Sequence, residues 1–321
     1  MFAEGISMSS LMAFLTLLAI ASTNGRFILR ETAVFDGGAH NVFLDIEGAT
    51  FLPDGSWIVA DKLAFRILSL TSSGTATSSA GGRGRAAGQF MGPGPITAFG
   101  DTVVVADFAS PRIQIFSRNL WFRNTFLAPG PVFNLQFDGK GKLWVGGHGL
   151  HVTSFLARYD LQGNELLHIE PNHSTGDLFK DVFRFVVSRN GKIALVYQTQ
   201  NVVEIWNTDG SFVRSFEIPH LPSCSVTHPL EGIDSPSALN VPDEPIFRDI
   251  AIDPRDQIYI LAEGYTPHPL QDVYVCTADG TLISTIMLPQ KAWSIWFSPD
   301  GFLFAVTGNR DVVRKYAISF H

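Results

Sequence analysis

The sequence predicts an all-β fold: a six-bladed β-propeller with four-stranded antiparallel blades. Three observations predict it. One strand–turn–strand pattern recurs six times in the 321 residues, and a solitary strand precedes the first copy. The 26 Phe and 29 Gly are typical of short aromatic strands joined by tight turns. Four strands in a period of roughly 40–50 residues are the signature of a propeller blade.

The repeated unit is a strand, a tight turn and a second strand that ends in a small or acidic residue. Its six copies lie at residues 49–61, 96–107, 135–147, 185–197, 250–262 and 295–307. A third strand follows every copy, and a fourth strand follows several of them, as at residues 212–218 and 282–288. Continuous apolar runs in these strands are expected where a neighbouring blade covers each face of a sheet.

The two chain ends predict how the ring closes. The last copy reaches His321 with three strands, whereas residues 26–35, "RFILRETAVF", form a strand that belongs to no copy. We expect this N-terminal strand to be the outer strand of blade six, which would leave no long edge exposed. A β-sandwich array, the alternative fold, would not explain the solitary strand.

The apolar run at residues 11–21 is too short to span a bilayer as a helix. It ends in the small-x-small pattern Ala19-Ile20-Ala21, which predicts a signal peptide over residues 1–21 and an extracytoplasmic protein, secreted or periplasmic. The alternative is a buried N-terminal helix. Either Met1 or Met8 would be the start. One propeller domain over residues 22–321, with no membrane span, is then expected.

Composition excludes some partners and leaves others open. The net charge of −7 argues against a nucleic-acid binder, and the 45% apolar content allows a large core. We expect a monomer.

Cys224 and Cys276 permit one disulfide, but Cys276 lies in the strand-like run "DVYVCTA", where a buried free thiol is the ordinary interpretation.

The second copy carries a family resemblance. Its "GQF…P…I…VADFASPRIQIF" is similar to the NHL repeat, with Ser110 where that family usually has Asn. The matching residues are Gln89, Phe90, Pro93, Ile96, Val105, Ala106, Asp107, Arg112, Ile113, Gln114 and Phe116. The first copy keeps an equivalent acid–Arg pair, Asp61 and Arg66. We expect both Asp residues to cap the turn after the second strand and pair with the Arg.

The Gly/Arg-rich stretch before this motif is predicted to connect two blades. A phosphate-binding P-loop would need Lys-Ser/Thr and a helix after its last Gly, and both are missing. Arg83 and Arg85 are expected in a solvated loop, with contact to an anionic ligand as the alternative.

Long loops predict which face of the propeller binds a ligand. The connectors at residues 72–95, 170–182 and 219–247 share a face with the loops at 147–154 and 264–271, whereas tight turns occupy the opposite face. Function concentrates on long loops held by a rigid scaffold. Six histidines fall there: His148, His151, His173, His220, His228 and His268. The pair His148 and His151 lacks an identifiable third metal ligand, so solvated imidazoles are the better interpretation.

The first residues of each innermost strand should face the central channel at the loop-rich face of the propeller. The six residues at this position are Glu47, Gly94, Phe133, Phe183, Arg248 and Trp293. They form either a salt-bridged plug packed by aromatic rings or a pocket in which Arg248 meets a carboxylate while the rings pack on its body.

Six-bladed relatives suggest a second interpretation. Peptidyl-hydroxyglycine lyases hold zinc with His near these strand starts, and gluconolactonase-like propellers hold calcium with Glu, Asn and Asp. "Glu47-Gly-Ala-Thr-Phe" resembles the gluconolactonase opening, and Asn134 and Asp249 lie one residue beyond the aligned position. The lyases also use an Arg and a Tyr, for which Arg248 and Tyr265 are candidates.

Two functions are therefore predicted. The first is a binding scaffold without a cofactor, which recognises a protein segment or small ligand through Arg248, Trp293, Glu47, Phe133, Phe183 and Tyr265. The alternative is a hydrolase or lyase with Ca²⁺ or Zn²⁺ held by Glu47, Asn134 and Asp249.

Overall fold

The structure is a computed structural model that describes residues 27–37, 42–149, 154–177, 179–224, 227–229, 240–242 and 244–320. These residues form strands and turns, and none of them lies in a helix that could cross a membrane. The predicted signal peptide, residues 1–21, lies outside the described part of the chain.

Six four-stranded antiparallel sheets follow one another along the chain. Blade one is β2 (Ile46–Phe51), β3 (Trp57–Asp61), β4 (Arg66–Leu70) and β5 (Ala76–Gly81). Blade two is β6 (Pro93–Phe99), β7 (Thr102–Asp107), β8 (Arg112–Ser117) and β9 (Phe122–Leu127). Blade three is β10 (Val132–Phe137), β11 (Leu143–His148), β12 (Ser154–Tyr159) and β13 (Glu165–Ile169). The next two are β14 (Phe183–Val187), β15 (Lys192–Tyr197), β16 (Val203–Asn207) and β17 (Phe212–Phe216), then β20 (Phe247–Ile252), β21 (Ile258–Ala262), β22 (Asp272–Cys276) and β23 (Leu282–Met287). Blade six is β24 (Ser294–Phe297), β25 (Leu303–Thr307), β26 (Val312–Phe320) and β1 (Phe27–Phe35).

The N-terminal strand closes the ring as predicted. Strand β1 pairs antiparallel with β26, from Phe27 opposite Phe320 to Phe35 opposite Val313. The six innermost strands contact one another in sequence, and β24 returns to β2. The fold is therefore a six-bladed propeller with one blade built from both chain ends.

Each contact between neighbouring blades holds its own hydrophobic cluster. In β7, Val103 and Val105 pack toward blade one, whereas Val104 and Ala106 pack toward blade three. Successive side chains of a strand point to opposite faces, so a strand covered on both faces must be apolar throughout. This explains the continuous apolar runs that marked the repeats.

Two connectors differ from their predicted form. Residues 72–95 were expected to be one long loop, but Ala76–Gly81 forms the outer strand of blade one. Its side chains are mostly exposed or half-buried, so it carries no apolar pattern that would reveal it. The connector at 219–247 contains a two-stranded ribbon, β18 (Thr227–Pro229) and β19 (Asn240–Pro242).

Hydrogen bonds from Arg112 hold the backbone of the Gly/Arg-rich connector in place, while most of its residues are exposed. The Arg112 guanidinium donates to the carbonyl oxygens of Arg85 at 2.7 Å and Gln89 at 2.6 Å. It also pairs with the buried Asp107 at 2.9 Å. The Arg83 guanidinium lies 5.4 Å from the centre of the Phe65 ring. Arg83 and Arg85 are both exposed, as expected of a solvated loop, and Arg83 also lies close to that ring.

Candidate functional site

The channel mouth is shaped by β-bulges at the starts of the innermost strands. Glu47, Phe133 and Arg248 are each an extra residue at a register shift against the second strand of their blade. A bulge redirects the side chain of its extra residue and is common beside functional sites. Gly94 also lies at a register shift, so four of the six predicted positions stand at a local irregularity.

Glu47 is the centre of a charged cluster on the loop-rich face. Its carboxylate lies 2.7 Å from the Arg310 guanidinium and 3.7 Å from the Lys62 ammonium. Arg310 also lies 3.5 Å from Asp45. Lys62 and Arg310 come from loops between the second and third strands, which confirms that these loops and the inner-strand starts meet at one end of the channel.

Trp293 joins Glu47's cluster to Arg248. The guanidinium carbons of Arg248 and Arg310 lie 5.4 and 5.1 Å from the centre of the Trp293 ring. Arg248 Nε donates to the Trp293 carbonyl oxygen at 3.2 Å, and the indole nitrogen donates to the Gly308 carbonyl oxygen at 3.0 Å. The ring thus lies within cation–π distance of two guanidinium groups.

Burial makes charge costly at this mouth. Arg248 Nη1 lies 3.5 Å from Glu263 Oε2, but that oxygen is buried without a hydrogen-bond partner among the described residues. Burial lowers the pKa of Arg248, and the nearby Arg310 and Arg184 lower it further while Glu263 opposes them. Burial likewise raises the pKa of Glu263 and of Asp45. A group that brought a complementary charge here would meet little competition from water.

The two predicted Phe residues are placed differently. Phe133 is half-buried at its bulge, whereas Phe183 is fully buried because its strand is regular at that point. Their rings make an edge-to-face contact at 6.1 Å, so Phe183 supports Phe133 from beneath. Tyr265 lies exposed on the loop after β21, two residues beyond Glu263, with φ of 59°.

Sequence reasoning missed four charged residues at the mouth: Lys62, Arg184, Glu263 and Arg310. Three of them belong to the loops between second and third strands, which the search of inner-strand starts did not include. Arg184 follows Phe183 and donates to the Phe133 carbonyl oxygen. An alignment of the six copies through that loop would have found Lys62 and Arg310.

An apolar collar borders the charged mouth. We use this name for Leu44, Leu63 and Phe108, whose side chains are 51%, 58% and 53% exposed. Lys62 links the collar to the mouth, because its ammonium lies 4.3 Å from the centre of the Phe108 ring and also faces Glu47. Exposed apolar side chains rimmed by charge are typical of interaction sites.

The alternative metal ligands have structural partners. Asn134 Nδ2 donates to the Phe185 carbonyl oxygen at 2.6 Å. The Asp249 oxygens accept from the backbone N–H groups of Ile250 and Ile295 at 3.0 and 2.9 Å. Both side chains therefore bridge neighbouring inner strands. Burial raises the pKa of Asp249, with Arg184 the main opposing charge.

Among the described residues, no group of three or more His, Cys, Asp or Glu side chains could hold a metal ion. His173 and His268 pair with Glu204 at 2.6 Å and Asp272 at 3.3 Å, and these acids lie in different blades. His148 is buried next to the Gly149 carbonyl oxygen. His220 has φ of 71°, and the side chains of His151 and His228 lie outside the described set.

The predicted pairing of each Asp with its Arg is confirmed, but the carboxylates bind backbone N–H groups before the inner strand and not the turn after the second strand. Asp61 pairs with Arg66 at 3.3 Å and accepts from the backbone N–H groups of Leu44 and Asp45. Asp107 accepts from the Met91 N–H in the same way. Each carboxylate thus ties the start of an inner strand to the end of the second strand of its blade.

The opposite end of the channel, on the tight-turn face, contains a cavity of about 430 Å³. It is lined by residues of all six inner strands, including Gln136, Asp249 and Trp296. This cavity was not predicted, because it arises from side chains that converge from six distant segments.

The comparisons with known proteins support the fold. No protein-family model matches the chain, and no curated protein matches it. Solved structures similar to it include hydrazine synthase of Kuenenia stuttgartiensis, with 12% identity, TM-score 0.55, and coverage of 88% of this chain and 97% of that one. A streptogramin B lyase has 14% identity and TM-score 0.55, and the match covers 91% of this chain and 98% of that one. The WD40 β-propeller domain of Doa1 has 13% identity and TM-score 0.55, and the match covers 90% of this chain and 97% of that one. At such identities the likeness concerns the propeller fold alone, and the NHL resemblance stays a prediction.

Proposed function

We propose that the chain is an exported, NHL-like propeller that acts as a binding scaffold, with its ligand site at the channel mouth of the loop-rich face. The ligand is a protein segment or a small molecule. The observation that carries the proposal is Trp293, a half-buried ring within cation–π distance of the guanidinium groups of Arg248 and Arg310. Aromatic rings and Arg are the residues on which binding energy concentrates.

Three features support a ligand site over a salt-bridged plug. The Arg248–Glu263 pair is long, at 3.5 Å, and makes no hydrogen bond at Glu263 Oε2. A plug would be expected to satisfy its buried polar atoms. The apolar collar beside the mouth stays exposed. Inner strands hold Glu47 and Arg248, which suits a site that must be preorganised.

A fragment screen by ligand-observed NMR would test this function. We expect fragments that bind the protein to lose binding in Arg248→Ala and Trp293→Ala. Arg85→Ala is the matched control, because it removes the same charge from the same face, away from the mouth. Fragments that bound both mouth variants as well as they bound the unmodified protein would contradict the proposed site.

Export is a separate part of the proposal and depends on residues 11–21 alone. Expression of the full chain in a secreting host should release a protein whose mass corresponds to a start at Ser22. A full-length protein retained inside the cell would contradict it.

A further inference from the structure

The two guanidinium groups at Trp293 have hydrogen-bond donors to spare. A guanidinium carries five N–H donors. Among the described residues, Arg248 donates one hydrogen bond, from Nε to the Trp293 carbonyl oxygen, and Arg310 donates one, from Nη1 to Glu47. The Nη2 groups of both have no hydrogen-bond partner within that part of the chain. Two planar donors on one ring can therefore receive an acceptor that the protein does not itself supply.

The acids of the mouth do not use these donors. Glu47 contacts Arg310 through Nη1, and Glu263 lies 3.5 Å from Arg248 without a hydrogen bond. Arg184 adds a third guanidinium close enough to affect the pKa of Arg248. A planar carboxylate matches the fork geometry of such donors.

The charge of the ligand is limited by the same acids. Asp45, Glu47 and Glu263 stand around the two guanidinium groups, and the chain as a whole carries a net charge of −7. A doubly charged phosphate would meet more repulsion from them than a singly charged carboxylate. The charged residues around the site thus favour a ligand group that carries one negative charge.

The apolar collar indicates what the carboxylate is attached to. Phe108 is linked to the mouth by Lys62, which contacts both the Phe108 ring and Glu47. Leu63 follows Lys62 in the same loop and is 58% exposed. A ligand held by Arg248 and Arg310 could lay an apolar group across Trp293 toward this collar, where burial of the group would add affinity.

We propose that the ligand of the channel mouth is a monocarboxylate on an apolar body, bound by the spare donors of Arg248 and Arg310 with its apolar part against Trp293 and the apolar collar. This inference depends on the proposed function, since it specifies the ligand of the same site. A small carboxylic acid and the C-terminus of a peptide that ends in an apolar residue share this chemistry.

Two matched pairs of probes test the proposal by calorimetric titration. The first pair is 3-phenylpropionate and 3-phenylpropionamide, and the second is one peptide ending in Phe as the free acid and as the amide. We expect each acid to bind at least tenfold more tightly than its amide, the order expected for one charge-assisted hydrogen bond. A peptide acid that binds more tightly than 3-phenylpropionate identifies a protein segment as the source, and the reverse identifies a small acid.

Variants separate this inference from the function on which it depends. Arg248→Ala should lower the affinity for each acid toward that of its amide, with Arg310 supplying the remaining difference, and Arg85→Ala should leave both affinities unchanged. Arg310 is replaced by Lys and not by Ala, because Ala would leave Glu47 without its closest partner. Arg310→Lys keeps the positive charge but removes the guanidinium fork, so it should lower the affinity for each acid.

Four results would overturn the inference. Equal affinity for acid and amide, with both lost in Trp293→Ala, would contradict the carboxylate while the mouth remained the site. Unchanged acid binding in Arg248→Ala and Arg310→Lys would contradict the assigned donors. Affinities unchanged in Trp293→Ala and Arg248→Ala alike would contradict the proposed function as well. Failure of both acids to bind at millimolar concentration would contradict the ligand class.

Discussion

Closure of the ring can be tested through one side chain of the N-terminal strand. Phe35 is 8% exposed, and its ring centre lies 5.4 Å from that of Trp57 in blade one and 6.2 Å from that of Phe304 in blade six. It also covers the turn at Gly74, where a Cβ would come within 2.2 Å of the Phe35 ring. Phe35 therefore joins the terminal strand to both blades at the seam.

Phe35→Ala should destabilise the protein by about 3–5 kcal/mol. The value combines the lost transfer free energy of a buried ring with a cavity that the surrounding rings cannot fill, as for other Phe→Ala changes in cores. Val34→Ala is the control, because Val34 is 48% exposed on the same strand and its truncation should change the free energy of unfolding by about 0.5 kcal/mol or less.

Urea unfolding of the full chain, followed by near-ultraviolet circular dichroism, measures both changes. The expected result is a large shift in the unfolding midpoint for Phe35→Ala and almost none for Val34→Ala. Equal, small shifts would mean that β1 contributes little to the seam, and the reasoning that the two chain ends jointly build blade six would be refuted.

Four other results are expected. Arg112→Ala should cost about 3–5 kcal/mol of stability in the same assay, because it leaves the buried Asp107 carboxylate without its cationic partner, and an effect below about 1 kcal/mol would contradict that role. Thiol titration should find Cys224 reactive in the native protein and Cys276 reactive only after unfolding, because Cys224 is exposed and Cys276 is buried. Reaction of both thiols at the same rate in the native protein would be inconsistent with the fold. Burial raises the pKa of Cys276 from 9.0 to about 12, so the folded state binds the thiol proton more tightly than the unfolded state does. The free energy of unfolding should therefore fall as the pH rises from about 9 to 12, and this fall should be less steep in Cys276→Ala. Addition of EDTA, Ca²⁺ or Zn²⁺ should leave the melting temperature unchanged, whereas a fall with EDTA that one ion reverses would favour the metal-dependent enzyme and the ligands Glu47, Asn134 and Asp249.

The blades could be predicted because their strands are covered on both faces. That burial imposes continuous apolar runs at a fixed spacing, and six copies of one pattern identify the fold more firmly than any single strand. The outer strand Ala76–Gly81 escaped prediction for the same reason, because it faces solvent and needs no apolar pattern. Both cysteines are free in the structure, so the disulfide that the sequence left open is not formed.

The channel mouth was predictable in part. Repeat spacing aligned Glu47, Arg248 and Trp293, and the structure places them in one connected cluster through Arg310. The bulges that orient Glu47 and Arg248 depend on one extra residue against the second strand, which periodicity does not reveal. Phe183 occupies the aligned position without a bulge and is buried instead. Partners from other blades depend on how the ring closes, so no local pattern reports them.

The location of the ligand is the most direct test of this account. Biosynthetic labelling with 5-fluorotryptophan gives one ¹⁹F NMR signal for each of the six Trp residues, and Trp→Phe variants assign the signals of Trp293 and Trp296. Trp293 lies at the mouth, whereas Trp296 lines the cavity at the opposite end of the channel. Titration with 3-phenylpropionate or the peptide acid should shift the Trp293 signal and leave that of Trp296 in place. A shift of Trp296 with Trp293 unmoved would place the ligand in the opposite cavity and contradict the central claim.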